Sequence, residues 1–197
     1  MTDGPRASTT DTATTSPPRA TVLVVDDEKP MTEILSTWIG EHHDVLVAHD
    51  GEEALETITE DVDVVLLDRR MPRMDGDAFL HAMRDAGYDA RVVMLTAIDP
   101  GPDIVSLPFD DYVTKPVTKD VVLNVIDRML RLSRAGKAVR EYHSLERRRD
   151  VLRTAKATTG VSDSEAFELL TRRLEAAAKD AGAGLAWLKE EYYETDE

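Results

Sequence analysis

Three apolar segments of the sequence end at side chains that could take part in chemistry. The clearest case is VVLLDRRMPRMDG (residues 64–76), in which four apolar residues run directly into an acid. The side chains at these segment ends are Asp26 with Asp27, Asp68, and Thr96, and Lys115 follows a further segment. Grouped carboxylates are tolerated beside a divalent cation, and an aspartate can also be the nucleophile that forms an aspartyl phosphate. An ammonium and a hydroxyl can bind phosphoryl oxygens, so the set suits phosphoryl transfer.

The elements that would position these residues alternate between strand and helix. The predicted strands lie in TVLVVDDE, DVLVAHDG, VDVVLLD, ARVVMLTA and DYVTKP. Helical periodicity is found in KPMTEILSTWIG, GEEALETITED and GDAFLHAMRDAG, and a further helix begins at Thr118. Strands that are apolar on both faces and alternate with helices predict an α/β fold, with a five-stranded parallel sheet that is doubly wound.

The carboxyl ends of parallel strands meet at one edge of the sheet, where ligands bind in such folds. We therefore expect the three aspartates, the threonine and the lysine to lie near one another at that edge. Helix capping could explain any one of the aspartates, because Asp is a preferred N-cap residue. It is a poor explanation for the whole set at matching positions.

Beyond about Ser133 the strand patterns stop, and an α-helical C-terminal extension is predicted. The helix that begins at Thr118 is expected to run to about Thr154, since only Gly136 interrupts it. Its apolar stripe contains Met129, Leu132 and Val139. That stripe could be a coiled-coil seam, or it could pack against the helices that follow.

A second C-terminal helix is predicted after a turn at residues 158–160. Ser162 and Glu165 have the spacing of a capping box. The apolar stripe of this helix contains Phe167, Leu170 and Leu174. Glycines at 182 and 184 end it, and LAWLKEEYY could form a last short helix. A helical hairpin of roughly 60 residues is too small to hold a core of its own, so we expect it to pack on another part of the chain.

The composition of the chain argues against several classes of function. The 197 residues carry a formal net charge of -15 and no cysteine. Such acidity argues against general binding to nucleic acid or anionic membranes, and it suits a halophilic protein. No apolar run is long enough to span a membrane, and no signal peptide is seen. We expect a cytoplasmic protein with a disordered tail over residues 1–20, which are rich in Thr, Ser and Pro.

Residues 21–133 resemble the receiver domain of two-component response regulators, a flavodoxin-like fold. The motifs that carry the resemblance are VLVVDDE, LLDRRMPRMDG, VMLTA and DYVTKP, which occur in this order. Residues 134–197, with REYHSLERRRDVLR and the hairpin after it, resemble the HalX-type segment that follows receivers in haloarchaea. The resemblance implies a signalling switch in a phosphorelay, and not an enzyme beyond self-catalysed phosphotransfer and autodephosphorylation.

The resemblance also implies roles for individual residues. Asp68 would accept a phosphoryl group from the histidine of a sensor kinase. Asp27, Asp68 and the backbone carbonyl of Arg70 would bind Mg²⁺, with Asp26 acting through water.

The switch would lie beside this site. Thr96 and Tyr112 would be the switch pair, in which the hydroxyl moves to the phosphate and the aromatic ring turns inward. Lys115 would pair with the phosphate, and a cis peptide bond is expected between Lys115 and Pro116.

Two features depart from the family pattern. The segment from Thr96 to Lys115 is short and holds Pro100, Pro102 and Pro108, so its helix must be short. Many receivers dimerise through the face that includes this helix, and the resemblance leaves a homodimer open. The second departure is the basic pair Arg69-Arg70, where Arg70 could contact the phosphoryl group or pair with nearby acids.

Other functions stay open for the C-terminal helices and for the site. Arg147, Arg148, Arg149, Arg153 and Lys156 could contact DNA as part of a transcriptional regulator, although a solvated, salt-bridged face explains them as well. The output partner is not identified. A hydrolase with an aspartyl-phosphate intermediate would need an acid two residues after Asp68, where Arg70 stands. His143 lies on a predicted helix, and this is its only likeness to a phosphotransfer histidine. The spacing of His42, His43 and His49 does not match that of a closed metal site.

Overall fold

The computed structural model describes residues 19–159 and 164–188. Its centre is a sheet of five parallel strands in the order β2-β1-β3-β4-β5. The strands are β1 (Thr21–Val25), β2 (Asp44–Ala48), β3 (Val64–Leu67), β4 (Arg91–Thr96) and β5 (Asp111–Thr114). The predicted fold class is confirmed, and all five strands lie in the predicted segments.

Helices cover both faces of the sheet. They are α1 (Lys29–Gly40), α2 (Gly51–Thr57), α3 (Gly76–Asp85) and α4 (Lys119–Ser133). Alternate residues of β1 explain the two layers: Val22 and Val24 pack with α1 and α4, whereas Leu23 and Val25 pack with α2 and α3. Because the central strands β1 and β3 are buried on both faces, apolar residues fill them almost without interruption, whereas the edge strands β2 and β5 are partly exposed.

The connection between β4 and β5 holds a short 3-10 helix, Pro102–Ser106, in the place of the expected short helix. Proline at its beginning removes a backbone donor, which limits how far a helix can extend on either side. Ile104 and Phe109 from this connection are fully buried in the layer that holds α2 and α3.

The prediction of one helix from Thr118 to about Thr154 is wrong. The chain leaves the helix after Ser133 and begins α5 (Lys137–Thr159) only after Gly136. Glycine is a poor helix former, and the Arg140 guanidinium donates to the carbonyl of Ala135 at the break (2.8 Å). The break turns α5 across the β5 edge of the sheet, where it contacts β5 and the 3-10 helix.

The predicted hairpin is present. Helix α6 (Ser164–Ala181) packs along α5, and α7 (Gly184–Trp187) follows a turn at Gly182, whose φ is +49°. Leu170 and Leu174 are buried against Leu145 of α5 and Val105 of the 3-10 helix. The apolar stripe of α6 therefore packs on another part of the chain, as predicted. Helix α5 extends through the first two residues of the turn expected at 158–160, and Gly160 and Ser162 lie outside the described residues.

The apolar stripe of α4 continues into the hairpin. Met129, Leu132 and Val139 share one buried cluster with Ala181 and Leu188. This packing favours the intramolecular interpretation of the stripe over a coiled-coil seam. Gly184 lies so close to Val139 that a Cβ at this position would be 2.4 Å from the valine Cγ2.

We expect Gly184→Ala to destabilise the fold by about 1–3 kcal/mol, because the added methyl overpacks the contact with Val139. Urea unfolding followed by circular dichroism measures the change. Gly40→Ala is the matched control, since nothing lies within 4 Å of a Cβ there, and it should be neutral or stabilising. Equal stability of wild type and Gly184→Ala would contradict the described packing.

Candidate functional site

Two buried carboxylates lie side by side where β1 and β3 end. Val25 pairs with Leu67 in the sheet, so Asp26 and Asp68 follow at the same level. Their exposed fractions are 2% and 7%. The Lys115 ammonium, which follows β5, donates to Asp26 Oδ2 (2.6 Å) and to Asp68 Oδ1 (2.9 Å). Three residues that are far apart in the sequence therefore meet at the predicted edge.

The charges of this cluster depend on one another. Burial raises the pKa of Asp26, and the hydrogen bond from Lys115 opposes that rise. Burial lowers the pKa of Lys115, but the hydrogen bonds to Asp26 and Asp68 outweigh it, and the net pKa is raised. The ammonium thus stays charged and offsets the repulsion between the two carboxylates.

Backbone groups fix the orientation of both carboxylates. The Glu28 amide donates to Asp26 Oδ1 (2.9 Å), and the Arg70 amide donates to Asp68 Oδ2 (2.8 Å). The Asp68 carbonyl leaves no space for a side chain at Gly76, where a Cβ would lie 2.2 Å from it. This close approach explains the glycine of the motif RMDG.

The donor set of this edge suits a hard divalent cation. Asp27 is exposed beside the buried pair, and the Asp26 and Asp68 carboxylates supply further oxygens. Within residues 19–159 and 164–188, no group of three or more His, Cys, Asp or Glu side chains is arranged to hold a metal ion alone. Mg²⁺ does not need one, because it is usually held by one or two carboxylates and keeps several waters. His42, His43 and His49 form no such group either.

The two residues of the expected switch pair bind the same backbone segment. The Ile98 amide donates to Thr96 Oγ1 (3.3 Å), and the Tyr112 hydroxyl donates to the Ile98 carbonyl (2.7 Å). Tyr112 is buried against Phe109, with a ring distance of 5.7 Å, and burial raises its pKa to about 12. The expected cis peptide bond between Lys115 and Pro116 is present.

Sequence reasoning missed the role of Arg69. Its guanidinium makes a bidentate pair with Asp77 at the beginning of α3 (2.9 and 2.8 Å) and also binds Asp103 of the 3-10 helix. The hydrogen bonds to Asp77 are the main reason that its pKa is raised. No pattern in the sequence connects positions 69 and 103. Arg70 is exposed and makes no ion pair within the described part of the chain. The pairing with nearby acids that the sequence suggested for Arg70 is made by its neighbour Arg69.

A cavity of about 600 Å³ opens beside the end of β3. Its lining includes Arg69, Arg70, Met71, Asp77, Ile98 and Asp103. The cavity therefore lies between the loop that follows Asp68 and the connection from β4 to β5.

Helix α5 lies on the strand that carries Tyr112. The Ser144 hydroxyl donates to the Phe109 carbonyl, and the Arg148 guanidinium donates to the Val105 carbonyl (3.2 Å). Arg147 binds Asp111, the first residue of β5 (2.8 Å). The solvated, salt-bridged face expected for these arginines is therefore wrong at Arg148, which is buried. Arg147 is half-buried and is salt-bridged as expected, although its partner Asp111 belongs to the receiver.

His143 is fully buried between α5 and the sheet edge, and this position rules out an accessible phosphotransfer histidine. Burial lowers its pKa to about 4, against an ordinary value of about 6.5. The charged groups around it are Asp110, Asp111, Arg128 and Arg147.

We expect the stability of the fold to fall as the pH decreases from about 6.5 to about 4, because the unfolded chain takes up the His143 proton first. The contribution is at most about 3 kcal/mol and levels off below the folded-state pKa. His143→Leu should remove it, whereas the exposed His81→Leu should not. Urea unfolding at a series of pH values measures this, and an unchanged pH slope in His143→Leu would contradict it.

The chain is similar to known proteins over most of its length. The model of the response regulator receiver domain matches residues 22–127, and the model of the HalX domain matches residues 131–195. A Haloferax volcanii protein named "Putative transcriptional regulator" is 41% identical over 165 residues, which cover 83% of this chain and 28% of that protein. The Escherichia coli transcriptional regulatory protein CpxR is 37% identical over 57% of this chain and 50% of its own length. This chain thus spans half or less of these relatives.

Solved structures agree over the sheet and its helices. The receiver domain of Francisella response regulator 1452 is 29% identical, with a TM-score of 0.53, over 59% of this chain and all of that one. Thermotoga maritima TrrA, solved in complex with Mg²⁺ and a beryllium fluoride, is 32% identical, with a TM-score of 0.52, over 56% of this chain and 99% of its own. Within the described residues of the present structure, no helix is long and apolar enough to cross a membrane.

Proposed function

Since the chain belongs to the family of response regulator receiver domains, we propose that it is a switch controlled by phosphorylation of Asp68. The observation that carries the proposal is the contact of one ammonium, that of Lys115, with both buried carboxylates at the carboxyl edge of the sheet. A sensor histidine kinase would be the phosphoryl donor. The receiver would comprise residues 21–133, and residues 134–197 would form the output segment.

The proposed transfer uses a carboxylate oxygen of Asp68 as the nucleophile. This oxygen attacks the phosphorus of the phosphohistidine, a P–O bond forms, and the P–N bond breaks with its electron pair leaving on the imidazole. The imidazole then takes a proton from solvent. Mg²⁺, held by Asp27, Asp68 and the Arg70 carbonyl with Asp26 acting through water, would neutralise charge that develops on the phosphoryl oxygens.

Lys115 and Thr96 would then hold the phosphorylated state. The Lys115 ammonium already contacts Asp68 and can follow the new phosphoryl oxygens with little movement. Thr96 Oγ1 accepts a bond from the Ile98 amide, and its own proton is available for a phosphoryl oxygen. Movement of Thr96 would disturb Ile98 and with it the hydrogen bond of Tyr112.

The hairpin contacts the elements that this movement of Thr96 and Tyr112 would disturb. Tyr112 belongs to β5, and α5 binds β5 through Asp111 and the 3-10 connection through Val105 and Phe109. A rearrangement of that connection would therefore alter the docking of α5 and α6. A homodimer through this face would require the hairpin to move, because α5 covers it in the present arrangement.

We expect a phosphate adduct on the wild-type protein after incubation with acetyl phosphate and Mg²⁺ in high salt, measured by intact mass. Asp68→Ala should abolish the adduct, because it removes the nucleophile. Asp85→Ala, which removes an exposed carboxylate at the end of α3, is the matched control and should keep the adduct. If acetyl phosphate gives no adduct, a phosphorylated histidine kinase is tested as the donor. An adduct that persists in Asp68→Ala, or none from either donor on folded protein, would overturn the proposal.

A second candidate is control of transcription through DNA contact by the C-terminal helices. The names of the relatives from Haloferax volcanii and Escherichia coli favour it. The contacts of Arg147 and Arg148 oppose it in the docked arrangement, because both side chains are used within the chain. A DNA-binding form would therefore have to expose them.

In fluorescence anisotropy at a series of salt concentrations, we expect no saturable DNA binding by the unphosphorylated chain. The acidic net charge and the internal use of Arg147 and Arg148 are the reasons. Tight binding with a steep salt dependence before phosphorylation would show that the hairpin contacts DNA while docked. Binding that begins only with the Asp68 adduct would favour release of the hairpin.

A further inference from the structure

An arginine-rich cavity of about 420 Å³ lies at the seam between the receiver and the hairpin. Six cationic side chains line it, against three carboxylates. The cations are Arg84, Arg91, Lys137, Arg140, Arg148 and Arg173, and the carboxylates are Asp89, Asp110 and Glu141. The lining of the cavity is therefore net positive, although the chain as a whole has a net charge of -15.

Arg148 is a buried cation of the cavity, only 5% exposed, and its hydrogen bonds go to neutral acceptors. These are the Ser144 carbonyl (3.1 Å), the Ser144 hydroxyl (3.0 Å) and the Val105 carbonyl (3.2 Å), and the Phe109 ring lies 6.0 Å from the guanidinium. Burial, followed by the nearby charge of Arg173, lowers the pKa of Arg148 to about 10. A buried cation held by neutral acceptors beside a second cation is costly, unless an anion completes its surroundings.

Arg84 and Arg91 on the receiver side already share one carboxylate. Arg91 donates to Asp110 Oδ1 (3.0 Å), and Arg84 donates to Asp110 Oδ2 (3.3 Å) and to the carbonyls of Tyr88 and Ala90. Arg91 also pairs with Asp89 (2.5 Å), so two carboxylates compensate the two arginines of the receiver wall. These bonds fix the side chains of Arg84 and Arg91 on that wall of the cavity.

The hairpin supplies the opposite wall. Arg140 reaches across to Asp89 of the receiver (2.7 Å), and Lys137 and Arg173 stand exposed at the rim. The cavity is thus built from both parts of the chain. Asp89 already bridges Arg91 and Arg140, but the six cationic side chains around the cavity still outnumber the three carboxylates.

We propose that this cavity binds a phosphate dianion, either free or as the phosphate group of a small metabolite such as a nucleotide. Guanidinium groups bind phosphate through paired N–H donors, and a cavity of this size suits a small ligand. Because receiver and hairpin residues would both contact the anion, binding would stabilise the docked hairpin. The ligand would be a second input to the same output segment.

The cavity is separate from the phosphoacceptor. Arg91 begins β4, Asp110 immediately precedes β5, and both lie at the amino edge of the sheet, whereas Asp68 lies at the carboxyl edge. The five further residues of β4 extend the strand roughly 16 Å from one edge to the other. The proposal therefore does not depend on whether Asp68 is phosphorylated.

The test is titration calorimetry of the full chain with inorganic phosphate and with AMP, at fixed ionic strength and with a chelator to exclude metal. We expect saturable binding to the wild-type protein. Arg173→Gln, at an exposed position, should weaken it about fivefold or more, and Arg148→Gln should weaken it more strongly, because a charged hydrogen bond to phosphate is lost in each. Arg172→Gln, which removes the same charge from a neighbouring exposed position outside the cavity, should change it less than twofold.

The results distinguish binding in this cavity from binding at Asp68 and from nonspecific attraction of anions to positive charge. Asp68→Ala should bind phosphate as the wild type does, and loss of binding in that variant would overturn the proposal. Equal weakening by Arg172→Gln and Arg173→Gln would indicate diffuse electrostatics and would overturn it as well, as would the absence of saturable binding. If AMP binds more tightly than phosphate by tenfold, the ligand is a nucleotide-like ester, and equal affinities assign the site to the phosphate group alone.

The proposal does not rest on Arg148→Gln alone, which could unfold the protein. Arg173→Gln tests the same cavity from the rim. A second measurement is the urea midpoint, which phosphate should raise equally in the wild type and in Arg172→Gln and by less in Arg173→Gln.

Discussion

The arrangement depends on two buried carboxylates that one ammonium holds together. The Lys115 ammonium donates to both Asp26 and Asp68 and offsets the repulsion between these carboxylates at the ends of adjacent strands. Lys115 follows β5 at the edge of the sheet, so the cluster forms only when the strands between are in register. In the proposed function, this arrangement would prepare the site for a phosphoryl group, because the ammonium already contacts Asp68.

A second set of contacts connects this cluster to the β5 edge. Thr96 and Tyr112 both bind Ile98, and Arg69 joins the loop after Asp68 to Asp103 of the 3-10 helix. The connection between β4 and β5 is therefore attached to the loop after Asp68 through Arg69, and to both flanking strands through Ile98. Because this connection is short and holds no α-helix, its outer side is open to α5.

The hairpin occupies that side with an unusual proportion of charge. Asp111 is buried and accepts from Arg128 of α4 (2.8 Å) and from Arg147 of α5. Buried charges of this kind contribute little net stability compared with apolar packing, but they fix one register and are easily upset by a change in their surroundings.

The sequence by itself determined the α/β fold, the strands, and which side chains reach the carboxyl edge, since strands buried on both faces have a strong and local pattern. It also indicated the hairpin and its apolar stripe. It did not locate the end of α4, because a glycine lowers helix propensity without deciding whether the chain turns there. Only the tertiary structure decided that Arg69 pairs with Asp103, that Arg147 and Arg148 face the receiver, and that arginines from four elements surround one cavity. These are contacts between residues far apart in the chain, and a long charged side chain has no periodic signal that shows which partner it will meet.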